Sequence, residues 1–200
     1  MTTKLFTAIA LGLSLYASAQ ECSVASSELY QKNLNNEYLD PKESPLTPQD
    51  LKTFKLLDFY AIDTDFCVTA KLVRTPNEKP FKMATTTSRT APYVKYGEVY
   101  FNLGGKDIKL DVFQNLDLIK EEKYKDHLFL PFTDLSSGQG SYAGGRYVDL
   151  SQPKGDIITI DFNTAYNPYC AYNPKYSCPI PPSQNYIDVA VLAGVKKYHK

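Results

Sequence analysis

The chain has no tryptophan, only two histidines, and no glycine between Gln20 and Tyr96. Nor does either sign of charge dominate, since 22 basic residues face 22 acidic ones. A balanced chain lacks the basic excess that a nucleic-acid face requires, so no nucleic-acid partner is expected. His199 stands in the terminal tail, so Cys/His and Ser/His/Asp chemistry would rest on His127 alone. No metal is expected either, because Cys170 and Cys178 are not in a Cys-x-x-Cys arrangement and have no neighbouring histidine. After residue 19 no apolar run reaches the ~20 residues that span a bilayer. Repeats, charge blocks and low-complexity tracts are also missing.

What is present begins with a targeting pattern. Lys4 supplies a positive start, Leu5 to Tyr16 is mostly apolar, and Ala17-Ser18-Ala19 is a small-x-small cleavage signal. The pattern predicts a signal peptide over 1–19, cleavage after Ala19, and a secreted or periplasmic protein with no membrane span after cleavage. Gln20-Glu21 before Cys22 do not fit a lipoprotein signal. Residues 20–200 read as one domain, with a helical part over 20–60 and a β-rich body over 61–200.

In the glycine-free part, Tyr30, Leu34 and Tyr38 recur every four residues and form one stripe of a helix over Val24 to Leu39, which Asp40-Pro41 ends. Thr47-Pro48-Gln49-Asp50 reads as a second helix start, with Thr47 as the cap and Pro48 in the first turn, leading to Leu51 and Phe54. From Asp65 the period changes to two. Phe66, Val68, Ala70 and Leu72 alternate with more polar neighbours, and Gly104-Gly105 separates two further alternating runs as a hairpin turn. Leu128 to Phe132, Arg146 to Leu150, Ile157 to Phe162 and Ile187 to Ala193 complete the strand candidates. No clear helix alternates with these strands, which disfavours a parallel sheet. The expected class is mainly β: a mostly antiparallel barrel or sandwich with short N-terminal helices and a disulfide-closed C-terminal loop.

That loop, from Asp161 to Asn185, holds two cysteines and five prolines in a Tyr/Asn-rich stretch. Proline fixes φ and removes donors, so the stretch is neither helix nor regular strand. Four cysteines allow three pairings. Of these, Cys170 with Cys178 would close a short loop, and Cys22 with Cys67 would tie the first helix to the strand after Asp65.

Several ordered blocks then carry a resemblance. They are Leu128-Phe129-Leu130-Pro131-Phe132-Thr133-Asp134, Ser141-Tyr142-Ala143-Gly144-Gly145-Arg146-Tyr147, Ile160-Asp161-Phe162-Asn163, Ala165-Tyr166-Asn167-Pro168, Cys170-Ala171-Tyr172 and Cys178-Pro179-Ile180-Pro181-Pro182 with Asn185. Their pattern resembles the bacterial domain-of-unknown-function family 1684 over the signature region 128–194, and more loosely from Pro80 to Gln114. The resemblance implies no activity, substrate or cofactor. It does mark Asp134, Gly144, Gly145, Arg146, Tyr147, Asp161, Asn163, Asn167, Cys170, Cys178, Pro179 and Asn185 as signature positions.

Arg146 has two readings. It holds a carboxylate or phosphate ligand bidentately, or it locks loops by a buried bridge to Asp134, Asp149 or Asp161. Sixteen tyrosines are the other resource, with Tyr142, Tyr147, Tyr166, Tyr169, Tyr172, Tyr176 and Tyr186 near the C-terminal motifs. The expected site therefore combines Arg146, Tyr147, Tyr142, Asp134, Asp161, Asn163, Asn167, Tyr166, Tyr172 and Asn185, with no cofactor. Three functions fit: a binding module for a small acidic or amphipathic ligand, a hydrolase using Asp134 or Asp161 with Arg146 as anion holder, or an interaction protein of the envelope.

Overall fold

The computed structural model describes residues 22–198; the expected signal peptide over 1–19 lies outside the described residues. Helix α1 (Val24–Leu39) starts at Ser23, whose hydroxyl accepts from the Ser26 amide at 3.1 Å, and ends at Asp40 before Pro41. Its Leu34 and Tyr38 are buried, as the four-residue stripe predicts. Helix α2 (Pro48–Leu51) begins on the Thr47 cap with Pro48 in the first turn. It lasts a single turn and stops before Phe54.

Eight strands follow: β1 (Cys67–Arg74), β2 (Phe81–Ala84), β3 (Thr90–Leu103), β4 (Lys106–Asn115), β5 (His127–Asp134), β6 (Arg146–Ser151), β7 (Ile157–Asp161) and β8 (Tyr186–Ile187). The sheet runs β6-β5-β4-β3-β1-β7 with antiparallel neighbours, while β2 pairs with β3 and β8 joins β5 in parallel. It curls into a half-barrel. Beyond its end, Tyr166 exchanges two backbone hydrogen bonds with Tyr147 of β6, at 2.9 and 3.0 Å.

The alternation in the sequence decides which face is the core. Val68, Ala70 and Leu72 of β1, Leu110 and Val112 of β4, Leu128, Leu130 and Phe132 of β5, and Val148 and Leu150 of β6 share one buried cluster. Each of these side chains except that of Ala70 contributes about 1.5–3 kcal/mol of burial. Gly104 and Gly105, with φ of 58° and 79°, make the predicted hairpin turn between β3 and β4. A bulge between Lys95 and Gly97 then reverses the faces of β3. Val99, Phe101 and Leu103 therefore point into this core, whereas Ala91 and Tyr93 join Phe113, Phe129 and Tyr147 on the opposite face.

Between β4 and β5 the ladder nearly disappears, since Phe113 and Phe129 are their one paired register. Pro131 sits within β5 and has no amide hydrogen to donate. Asn185 fills the gap. Its Oδ1 accepts from the Asp111 amide at 2.9 Å, and its Nδ2 donates to the Asp111 and Pro131 carbonyls at 2.8 and 2.7 Å.

Two expectations need correction. Of the strand expected from Ile187 to Ala193, only Tyr186–Ile187 is β8. Beyond it no strand ladder continues; the Leu135 amide donates to the Val189 carbonyl at 3.4 Å, and the Val191 amide donates to Asp134 Oδ1 at 3.2 Å. The Cys22–Cys67 bridge is present with Cα atoms 5.8 Å apart, but Cys170 and Cys178 are free thiols. Their loop is closed by hydrogen bonds: the Cys170 amide donates to Cys178 Sγ at 3.1 Å, and the Cys178 amide donates to Thr86 Oγ1 at 3.1 Å.

Candidate functional site

A cleft of about 650 Å³ opens on the face of the sheet opposite the main core. Alternation along β5 and β6 builds its floor. His127 and Phe129 share a face of β5, Tyr147 and Asp149 share the matching face of β6, and Phe129 stands opposite Asp149 in the register. Tyr93 of β3 extends the floor because the bulge has turned it outward. One wall is α1, through Tyr30, Asn33, Leu34 and Glu37, whose spacing puts them on one helical face. The other wall is the proline-rich loop, through Tyr166, Pro168, Tyr169 and Tyr176 to Pro179. Leu118 and Tyr124 close one end.

The rings hold one another edge-on. Phe129 and Tyr147 lie 4.7 Å apart between centroids and Tyr147 and Tyr166 5.7 Å, both T-shaped. Such pairs contribute about 0.5–1.5 kcal/mol each beyond their burial. Polar groups are concentrated on two carboxylates. Asp149 accepts from the Tyr166 hydroxyl at 2.9 Å and lies 2.9 Å from His127 Nε2; Glu37 accepts from the Tyr169 hydroxyl at 2.7 Å. Burial first, and then the Asp149 charge, push the Tyr166 and Tyr30 hydroxyls well above the ordinary phenol range. Burial, followed by Glu37, does the same to Tyr169. These tyrosines therefore stay protonated, and Tyr166 and Tyr169 donate to the carboxylates. His127 Nδ1 is buried without a partner.

Of the site residues expected from sequence, Tyr147 and Tyr166 line the cleft. Tyr172, fully buried, packs beside it against Tyr38, with ring centroids 5.0 Å apart. Tyr142 lies outside the lining. Arg146 takes the buried-bridge reading: it is fully buried, and its Nη2 donates to Asp134 Oδ2 at 3.1 Å and to the Val191 carbonyl at 2.7 Å. Its Nη1 donates to the Ala193 carbonyl. Burial lowers the guanidinium's hold on its proton and the Asp134 charge opposes that loss. Gly145, immediately before β6, has φ of +86°, and an added Cβ there would lie 2.5 Å from the Phe132 carbonyl oxygen. No ligand can reach such an arginine from the cleft.

Asp134 and Asp161, the candidate acid and base, are also interior and bonded. Asp134 Oδ1 accepts from the Ser136 and Val191 amides, at 2.7 and 3.2 Å. Asp161 Oδ2 accepts from the Ser27 hydroxyl at 2.6 Å, pinning α1 to the end of β7, and its Oδ1 accepts from the Asn163 amide at 2.9 Å. Asn163 donates to the Asp63 carbonyl at 2.8 Å and Asn167 to the Lys196 carbonyl at 2.8 Å. With Asn185 in its seam, these signature positions form joints of the fold. Of the two free thiols Cys178 lines the cleft, and the hydrogen bond from it pulls the pKa of Cys170 down to about 6.

Sequence reasoning passed over Tyr30, Glu37, Tyr93, Tyr124, His127, Phe129 and Asp149 as a set. Part of the signal was available. His127 and Phe129, and Tyr147 and Asp149, are each two residues apart on predicted strands, so each pair must share a face.

Among curated proteins none matches the chain. A solved structure does: the solution NMR structure of an uncharacterised protein of Haloarcula marismortui is similar, with 31% identity and a TM-score of 0.68 over 86% of this chain and 92% of that one. The family described as a protein of unknown function, DUF1684, matches residues 52–196. A match over most of the chain, together with that shared fold, makes this protein a member of the DUF1684 family.

Proposed function

We propose that the protein is a binding module for a small amphipathic molecule. The observation that carries this reading is the concave cleft of about 650 Å³, lined by seven tyrosines and Phe129, with its polar groups gathered at Asp149 and Glu37. That size suits a small ligand, and a mostly aromatic lining with few convergent polar groups is the usual composition of such sites. Tyrosine supplies wide rigid contact at the cost of only two torsions, so ordering the lining on binding is cheap. The lining contains no lysine or arginine, so an amphipathic ligand fits it better than an acidic one. We further place the protein outside the cytoplasm. The cleavage signal at Ala17-Ser18-Ala19 supports this, as does the Cys22–Cys67 bridge, which persists best in oxidising compartments.

A fragment screen by heteronuclear NMR tests the binding reading. Aromatic fragments with one polar substituent are expected to shift resonances of Tyr30, Phe129, Tyr147 and Tyr166 together. Shifts scattered over the surface, or none, would remove it. Intact-mass measurement of protein exported from its native host should find Gln20 as the first residue; a retained residue 1–19 segment would end the export reading.

A further inference from the structure

The charge of the cleft narrows the class of ligand, on the premise that the cleft is a binding site. Its lining brings two carboxylates, Asp149 and Glu37, to a wall of tyrosine rings and includes no lysine or arginine. The carboxylates arrive from different elements, β6 and α1, and each is oriented by a tyrosine hydroxyl, Tyr166 and Tyr169 respectively. Their fields overlap, because both act on the Tyr30 hydroxyl after burial has already raised it. Cations stand beside the cleft but not in it. Arg89 is turned to the Ser177 carbonyl, to which it donates at 2.7 Å, and Lys123 lies over the Tyr124 ring at 4.4 Å.

We infer that the cleft selects a small organic ammonium cation, seated on the tyrosine faces and facing Asp149. An aromatic face carries negative quadrupole density and attracts a cation within about 6 Å, most strongly where water is excluded. Acid groups at the edge add a long-range attraction that a neutral ligand does not feel and an anion feels as repulsion. The Asp149 side chain is 47% exposed, so its carboxylate keeps solvent-facing surface for a ligand although His127 holds Oδ1 and Tyr166 holds Oδ2.

The test compares three molecules of one shape: choline, its neutral carbon isostere 3,3-dimethylbutan-1-ol, and the anion 3,3-dimethylbutanoate. Each is titrated into the full mature protein at pH 7.5 and followed by NMR shifts of the cleft tyrosines. Choline is expected to bind at least tenfold more tightly than the alcohol, with the anion weakest. Asp149→Asn should cut the ratio of choline to alcohol affinity, both measured on the same variant, several-fold, and Glu37→Gln should cut it to a smaller degree. Equal binding of choline and the alcohol, or preference for the anion, overturns the inference while leaving a binding site in place. If none of the three binds but neutral aromatic fragments still map to the cleft, the cation class alone is lost. If those fragments also fail, the binding reading falls with it.

Discussion

The two faces of the β5–β6 pair handle buried polar groups in opposite ways. On the interior face, Arg146 is fully buried and donates to Asp134 and to backbone carbonyls of the C-terminal segment. On the opposite face, Asp149 is bonded to Tyr166 and His127 yet stays half exposed at the floor of a cleft. The two residues are only three positions apart, and the two-residue period of a strand separates them. A charge whose partners all come from the protein holds the fold together. One that still faces solvent has capacity for something else.

Removing Arg146 should break the interior side most severely. Arg146→Ala leaves Asp134 buried without its partner and is expected to cost about 3–5 kcal/mol in urea denaturation. Replacing both members, as Arg146→Met with Asp134→Leu, should recover part of that loss. A single substitution with no measurable effect would contradict the interior role. Asn185→Ala comes next. It unpairs three backbone groups across the β4–β5 seam and should cost about 3 kcal/mol, with hydrogen exchange rising first at Asp111.

On the cleft side, Asp149→Asn should change stability by less than about 1 kcal/mol, because the group is half exposed and its partners are single hydrogen bonds. A loss as large as that of Arg146→Ala would erase the distinction between the faces. The smallest energetic effect belongs to the thiols. With Cys170 lowered to about 6, mainly by the Cys178 hydrogen bond, its alkylation by iodoacetamide should rise with pH and reach half its maximum near that value. Below it the protonated thiol is slow. Cys178→Ala, which removes the donor, should move the midpoint upward toward the ordinary thiol value of about 8.5. Protein that takes up no label at Cys170 and carries an intact mass consistent with two bridges would restore the expected Cys170–Cys178 disulfide.

Much of the fold was legible because it rests on local rules. Thr47-Pro48 starts a helix, Gly104-Gly105 turns a hairpin, β1 follows an alternating apolar run, and β5, β6 and β7 fall on expected strand segments. The segment from Ile187 to Ala193 looked equally strand-like. Its backbone partners, however, include the side chains of Asp134 and Arg146, and nothing local records that. The candidate site was less legible for the same reason. Tyr147 and Tyr166 were recognised near the C-terminal motifs, but Tyr30, Glu37, Tyr93 and His127 come from elements far apart in the chain. The bulge at Lys95 to Gly97, which turns Tyr93 outward, leaves no pattern that periodicity alone detects.

The sequence by itself determined the mainly β class, the N-terminal helices and the family, because periodicity, caps and ordered motifs are carried by neighbouring residues, whereas the Cys22–Cys67 pairing across 45 residues was one of three it allowed. Tertiary structure decided what the motifs are for. It turned Arg146 and Asn185 into joints, left Cys170 and Cys178 as neighbouring thiols, and gathered the tyrosines around Asp149. Whether a polar side chain is saturated or open depends on partners tens of residues away, and only the folded chain brings those partners together.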